Sequence, residues 1–201
     1  MRHEQSNQAM RANRCAFPHL YEIRRRKEMV QQGLELTTKR FVLRPITRAD
    51  VRPLHNLWAS PGVRRFLWDD QVIPIERTRE AIEQSQRFFR EYQYGLWGAW
   101  SIEGLTLDGF AGMWPFREPG AMELLYGVAE HLWGNGCATE IAEAVIAYCF
   151  DTLSMSMVRA STDAANVASI RVLEKLGFDF VHRSTVGGLD TVFYELSRWA
   201  V

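Results

Sequence analysis

The sequence predicts a mixed α/β (α+β) fold, in which a central, mostly antiparallel sheet of six to seven strands is flanked by about four helices. Its apolar pattern gives the order strand, two helices, three strands, helix, strand, helix and two strands. This order lacks the regular βαβ alternation of a doubly wound sheet. The chain has 201 residues, 47% of them hydrophobic, which suffices for one well-buried core. We therefore expect one folded domain over residues 34–201.

The first predicted elements are a strand and two helices. Residues 36–44 have strand-like apolar spacing, and Pro45 ends the strand because it lacks a backbone N–H donor. Thr47 offers an N-cap to a helix that Pro61-Gly62 is expected to end. A second helix is predicted over residues 75–92. Its expected buried side consists of Ile82, Phe88, Phe89 and Tyr92.

Three strand-like segments follow and predict a β-meander. Residues 96–102 and 110–116 are rich in Trp, Phe and aliphatic residues, and Asp108-Gly109 between them is typical of a turn. The third strand, over residues 122–129, leads to Gly134-Asn135-Gly136.

Beyond these glycines the apolar spacing becomes helical. Residues 138–150 repeat apolar positions every three or four residues, which predicts a helix with one buried side. A helix start carries N–H groups without intrahelical partners and the positive end of the helix dipole, so a helix opened by glycines favours a phosphate ligand. The remaining prediction is a strand over 157–162, a helix over 166–176, and two strands over 178–185 and 191–196.

The charges argue against a nucleic-acid or membrane-surface protein. Basic and acidic residues balance at 24 each, although residues 1–33 hold seven basic and three acidic ones. We expect residues 1–33 to be a basic, mobile N-terminal extension, because they hold few aliphatic side chains to bury. Docking of this extension on RNA is the less favoured alternative.

The cysteines and histidines predict no disulfide and no metal site. Cys15, Cys137 and Cys149 form no CxxC pair, and no histidine has metal-ligand spacing with acids or cysteines. We found neither a signal-peptide core nor a run of about eighteen apolar residues, so we expect a cytoplasmic protein without a membrane span.

Three kinds of phosphate site were compared at the glycine turn. A Walker loop needs GxxxxGK followed by Ser or Thr, which is missing, and the third glycine of a Rossmann fingerprint is replaced by Thr139. The third kind is an acyl-CoA site. Residues 126–140, YGVAEHLWGNGCATE, resemble the acetyl-CoA motif of the GNAT superfamily of N-acetyltransferases. Residues 166–178, NVASIRVLEKLGF, resemble its second signature, and residues 36–45, LTTKRFVLRP, resemble the start of its ribosomal-protein (RimJ/RimL-like) branch.

The resemblance implies direct transfer of an acetyl group from acetyl-CoA to an amine, in a ternary complex and without a metal. The amine would be a small molecule or a protein N-terminus, and the protein could act alone or as a homodimer. The implied cofactor-binding residues are Val128, Gly134, Asn135, Gly136, Cys137, Ala138, Thr139 and Asn166. Asn166 would bond the pantetheine arm, and the backbone near Val128 would polarise the thioester carbonyl.

The catalytic candidates are Glu123 as base, directly or through water, and Ser169 as donor to the leaving thiolate. The family's usual tyrosine, seven residues after the asparagine, is Leu173 here, so the thiolate donor is Ser169, Tyr126 or water. His131 stands where the family usually has Arg or Gln. The alternative function is a non-catalytic acyl-CoA-binding regulatory module.

Overall fold

The computed structural model describes residues 34–115 and 121–198, and the described residues from Leu36 onward form one structural unit. The expected extension over residues 1–33, including Cys15, lies outside this part of the chain. Five α-helices and eight β-strands make up the described residues. The helices are α1 Val51–Ala59, α2 Pro61–Leu67, α3 Ile75–Tyr92, α4 Cys137–Ala147 and α5 Val167–Lys175. The strands are β1 Leu36–Thr37, β2 Phe41–Pro45, β3 Leu96–Ser101, β4 Leu107–Trp114, β5 Glu123–Val128, β6 Met157–Asp163, β7 Asp179–Val186 and β8 Leu189–Ser197.

All eight strands belong to one sheet, in the order β1-β2-β3-β4-β5-β6-β8-β7. Neighbouring strands are antiparallel except β5 and β6, which are parallel. The predicted fold class is therefore confirmed, with slightly more strands and helices than expected. One extra strand arises because residues 36–44 form a hairpin, with β1 paired to β2, rather than one continuous strand.

The additional helix begins where a helix end was expected. Helix α1 does end at Ala59, but Pro61 then occupies the first position of α2. Proline is tolerated there because the first N–H groups of a helix have no intrahelical partner. The helix end expected at Pro61-Gly62 is therefore confirmed, but α2, which begins at Pro61, was not predicted.

The helix predicted over residues 75–92 is confirmed as α3, but its buried side differs from the prediction. Ile82 and Phe89 are buried, as expected. Tyr92 is instead 52% exposed, and Thr78 and Ser85 are fully buried. Ser85 is tolerated inside because its hydroxyl accepts a hydrogen bond from the N–H of Leu96, 2.8 Å away.

Helices cover both faces of the sheet. Phe110 of β4 lies in one buried cluster with Trp58 of α1 and Ile82 of α3. The adjacent residue Gly109 faces α4, since a Cβ built on it would lie 3.1 Å from Ile141 Cδ1. Because successive strand residues point to opposite faces, α1 and α3 cover one face and α4 covers the other.

Gly109 also explains one wrong turn prediction. Asp108-Gly109 lies inside β4 and does not form the turn between β3 and β4. That turn lies between Ser101 and Thr106, where the Ser101 N–H donates to the Thr106 carbonyl over 2.9 Å. The glycine allows α4 to approach the sheet closely, and the sequence pattern does not distinguish such a glycine from one in a turn.

Candidate active site

Strands β5 and β6 lie side by side but diverge. Their parallel pairing joins Glu123 to Arg159, whereas β5 pairs with β4 along its whole length from Glu123 to Val128. Beyond Glu123 the β6-facing edge of β5 therefore borders a gap in the sheet. Strand N–H and C=O groups on such an edge can pair with an extended molecule that carries amide groups.

The backbone of Val128 faces this gap. The N–H of the next residue, Ala129, donates to the carbonyl of Asp108 on the β4 side, over 2.8 Å. Since backbone groups of neighbouring strand residues point in opposite directions, the N–H and C=O of Val128 point away from β4. The carbonyl accepts a 3.0 Å hydrogen bond from the indole Nε1 of Trp133, so the N–H is the group that borders the gap.

The gap leads to the glycine-opened start of α4. Gly134 and Gly136 both have left-handed backbones, with φ angles of 76° and 74°. The first intrahelical bond runs from the Glu140 N–H to the Gly136 carbonyl over 3.1 Å, so the N–H groups of residues 137–139 have no partner within α4. A Cβ built on Gly134 would meet no atom within 4 Å, which leaves open space beside the turn. These features fit a phosphate or pyrophosphate.

Asn135 contributes differently from its neighbours. Its N–H donates to the Leu132 carbonyl over 3.4 Å, which is a bond within the turn. Its carbonyl accepts a 2.9 Å bond from Nη1 of Arg40. Asn135 therefore stabilises the turn, and the cofactor contact that the resemblance implies for it stays a prediction.

Arg40 is a residue of this site that sequence reasoning missed. Its Nε donates to Glu140 Oε2 over 2.7 Å, while the Arg40 backbone N–H and the Thr38 hydroxyl donate to Glu140 Oε1 over 2.8 and 2.7 Å. Burial raises the pKa of Glu140, but these bonds outweigh it and hold the pKa below its usual value. The residues lie about a hundred positions apart in the chain, so no local pattern joins them.

At the start of α5, three predicted residues come together. The Ser169 N–H donates to Asn166 Oδ1 over 3.2 Å, so Asn166 is the N-cap of α5. This bond uses the amide oxygen, and a donor role for Asn166 therefore rests on its Nδ2 group. The hydroxyls of Ser169 and Tyr126 lie 2.8 Å apart, and the Tyr126 hydroxyl is also 3.1 Å from the Ser169 carbonyl.

Glu123 lies on the opposite face of β5 from Tyr126. It pairs with Trp114, which packs against the cluster containing Phe110, whereas Tyr126 contacts α5 on the other side of the sheet. The Glu123 side chain is 1% exposed, and its Oε2 accepts a hydrogen bond from the Ser161 hydroxyl. Glu123 and Ser169 are thus separated by the strand.

A cleft opens on the Glu123 face of the sheet, with a volume of about 520 Å³. Trp58, Trp68, Trp114 and Leu125 supply much of its apolar lining, and Asp69 supplies a carboxylate. The indole Nε1 atoms of Trp58 and Trp68 are buried without a hydrogen-bond partner among the described residues. The cleft is within the size range of small-molecule sites.

The side chains of Cys137 and His131, near the helix start, have no visible chemical role. Cys137 is 2% exposed, and burial raises the pKa of its thiol, so it is a packed side chain rather than a reactive thiolate. The His131 side chain is exposed, and its Nε2 lies 4.0 Å from Asp108 Oδ1.

Two features are absent from residues 34–115 and 121–198. This part of the chain contains no cluster of His, Cys, Asp or Glu side chains that could hold a metal ion. None of its helices is long and apolar enough to span a membrane.

Comparisons with known proteins agree with this geometry. The family model described as "Acetyltransferase (GNAT) domain" matches residues 40–179. The "Uncharacterized protein YkkB" of Bacillus subtilis is 35% identical over 149 residues, which are 73% of this chain and 86% of that protein. The "Uncharacterized N-acetyltransferase YoaA" of the same species is 28% identical over 144 residues, 71% of this chain and 81% of that protein.

A solved structure with the same fold contains coenzyme A. It is described as RimL, a ribosomal L7/L12 alpha-N-protein acetyltransferase in complex with coenzyme A. The match has a TM-score of 0.68 at 18% sequence identity, and it covers 81% of this chain and 97% of that one.

Proposed function

The chain belongs to the GNAT acetyltransferase family, and from this membership we propose that it transfers an acetyl group from acetyl-CoA directly to an amine. The observation that supports this most strongly is the gap between β5 and β6, which begins at the buried Glu123 and leads to the glycine-opened start of α4. A long molecule fits here if its amides pair with the edge of β5 and its pyrophosphate binds at the start of α4.

The cofactor site uses backbone groups more than charged side chains. The N–H groups of Cys137, Ala138 and Thr139 hold the pyrophosphate, and the left-handed Gly134 and Gly136 allow the backbone to approach it. The pantetheine arm pairs with the free edge of β5 and accepts a hydrogen bond from Asn166 Nδ2. Asn135 supports the turn through its bonds to Leu132 and Arg40.

The chemistry is attack by a neutral amine on a thioester. The amine nitrogen bonds to the carbonyl carbon, the carbon–sulfur bond breaks with its electron pair going to sulfur, and the nitrogen loses one proton. The Val128 N–H donates to the carbonyl oxygen, which carries more negative charge in the transition state. Glu123 accepts the amine proton through a chain of water molecules, because its side chain is almost fully buried and lies five residues before Val128 on β5.

The incoming amine and the leaving sulfur would lie on opposite faces of β5. Glu123 and the tryptophan-lined cleft lie on one face, while Ser169 lies towards the other. An amine that enters from the cleft and a sulfur that leaves towards α5 would therefore not compete for the same space. Ser169 then donates a hydrogen bond to the leaving thiolate.

We place the acceptor amine in the cleft beside Trp58, Trp68 and Trp114. Protein N-termini and small amines are both acceptors of the proposed reaction. The block LTTKRFVLRP and the fold match to a ribosomal-protein acetyltransferase support the RimJ/RimL-like branch, and hence a protein N-terminus. Mass spectrometry of a cell lysate incubated with the protein and isotope-labelled acetyl-CoA would identify the acceptor. A lysate without any newly labelled amine would oppose the proposal.

One observation favours a second function. Leu173, which is 1% exposed, occupies the place where the family usually has a tyrosine that protonates the thiolate. A chain that kept the cofactor site but lost this group could be a non-catalytic acyl-CoA-binding module. Coenzyme A would then raise the melting temperature of the protein, whereas no amine would cause thiol release from acetyl-CoA.

A further inference from the structure

Tyr126 reaches from β5 to the first turn of α5, the helix that follows β6. Its side chain therefore joins β5 to α5 on the face of the sheet opposite to Glu123. Its hydroxyl lies 2.8 Å from Ser169 Oγ and 3.1 Å from the Ser169 carbonyl oxygen. A phenol has one proton, so it can donate fully to only one of these two oxygens at a time.

The two choices have different consequences for Ser169. If Tyr126 donates to the carbonyl, the serine hydroxyl can donate back to the phenol oxygen and is then used internally. If Tyr126 donates to Oγ, the serine proton must point elsewhere, and it becomes available to a group in the gap. In the shorter contact, the one to Oγ, either oxygen can be the donor, so a negatively charged sulfur in the gap would favour the second arrangement.

The inference deepens the proposed acetyl transfer and rests on it. We propose that Tyr126 is a positioning residue, which donates to Ser169 Oγ and so directs the serine hydroxyl towards the sulfur that leaves the acetyl group. Ser169 stabilises the departing thiolate by a hydrogen bond and keeps its own proton. The thiolate then takes its proton from water, and the proton lost by the amine leaves through Glu123.

The surroundings of Tyr126 suit a donor rather than an acid. Burial raises the pKa of its phenol well above the usual value. The phenol therefore stays protonated at neutral pH. The Ser169 backbone is itself fixed, because its N–H is bonded to the N-cap oxygen of Asn166.

Tyr126 differs from the tyrosine that the family usually carries on α5, because Tyr126 lies on β5. That position is Leu173, which packs in the core and has no polar atom. The hydroxyls of Tyr126 on β5 and Ser169 on α5 would thus take over the function that a single tyrosine usually has in the family. Removing the strand hydroxyl should weaken the chemical step without removing a cofactor contact.

The test is a double-mutant cycle with Tyr126→Phe and Ser169→Ala, read as kcat and as KM for acetyl-CoA. We expect Tyr126→Phe to lower kcat by about 10-fold, as for loss of one hydrogen bond to a developing charge, with KM changed less than about twofold. Because Tyr126 acts through Ser169, adding Tyr126→Phe to Ser169→Ala should change kcat no further. The matched control is Tyr148→Phe, which removes another buried tyrosine hydroxyl, one that donates to the Gln93 carbonyl.

Several outcomes overturn the inference. One is an unchanged kcat in Tyr126→Phe, and another is a full additional loss when Tyr126→Phe is added to Ser169→Ala. If Tyr126→Phe does not fold, fluorotyrosine at position 126 keeps the shape of the side chain and is a stronger hydrogen-bond donor. The kcat of this variant should stay the same or rise, and a lower kcat would contradict the positioning role of Tyr126. A wild-type protein that releases no thiol with any amine defeats the proposed function as well, whereas an active wild type with an unaffected Tyr126→Phe defeats this inference alone.

Discussion

Arg40 is expected to maintain the proposed coenzyme A site through its bonds to Glu140 and Asn135. Replacing it by alanine removes the bond from Nη1 to the Asn135 carbonyl, at 2.9 Å, and the contacts of Nε and Nη2 with Glu140 Oε2, both at 2.7 Å. All are charge-assisted, but the Arg40 side chain is 40% exposed, so we assign about 1 kcal/mol to the loss of each of the two partners. The freed Glu140 carboxylate also lies in the first turn of α4, where it would repel a pyrophosphate. Since Glu140 keeps its bonds from the Thr38 hydroxyl and from the backbone N–H of residue 40, we expect coenzyme A affinity to fall only about 10-fold.

The assay is calorimetric titration of coenzyme A into wild type, Arg40→Ala and the double variant Arg40→Ala/Glu140→Gln. The double variant should recover part of the lost affinity, because it no longer carries the unpaired charge. Arg183→Ala is the matched control, since it breaks an exposed arginine–aspartate pair with Asp190 in the β7–β8 hairpin. An affinity of Arg40→Ala within twofold of wild type would refute the reasoning, as would a double variant weaker than the single one.

Three further changes test other parts of the account. Glu123→Gln should lower kcat by about 100-fold with little change in KM for acetyl-CoA, whereas an unchanged rate at saturating amine would remove Glu123 from the mechanism. Gly136→Ala forces alanine to a φ of 74° and should weaken coenzyme A binding as well as lower the free energy of unfolding by about 1 kcal/mol. The control Gly188→Ala, at φ 85° in a hairpin, should lower the free energy of unfolding without changing coenzyme A binding. Equal losses of coenzyme A affinity in both variants would contradict the binding role of the glycine-opened helix start. Burial raises the pKa of Asp50, but bonds from Arg44 and the neighbouring threonine outweigh it and hold the pKa below 3.8, so its contribution to stability is present above about pH 4 and is lost as the pH falls through the lowered pKa. Urea unfolding of wild type and Asp50→Asn at pH 7, 4 and 3 checks this. An equal loss of the free energy of unfolding in both proteins as the pH falls would contradict it.

Local sequence signals predicted much of the fold. Helix α3 and the glycine-opened helix α4 follow from apolar periodicity, and the divergence of β5 from β6 lies within the block that resembles an acetyl-CoA motif. The errors arose where one residue type serves two purposes. Proline can end one helix and begin the next, as Pro61 does, and a glycine within a strand can serve close packing, as Gly109 does.

The site was harder to predict because its residues meet only in three dimensions. The bonds of Arg40 to Glu140 and of Tyr126 to Ser169 join residues far apart in the chain, and a single sequence contains no signal for such pairs. The burial of Glu123 depends on Trp114 and Ser161 from two other strands. The roles assigned to Glu123 and Ser169 remain predictions.

Amine-dependent release of free thiol from acetyl-CoA tests the central proposal most directly. The purified protein is incubated with acetyl-CoA and a panel of small amines and peptides with free N-termini, and thiol and acetylated amine are both measured. We predict that thiol appears only when an amine is present, and in an amount equal to the acetylated amine. Binding of coenzyme A without amine-dependent thiol release would contradict the enzyme and favour the binding module.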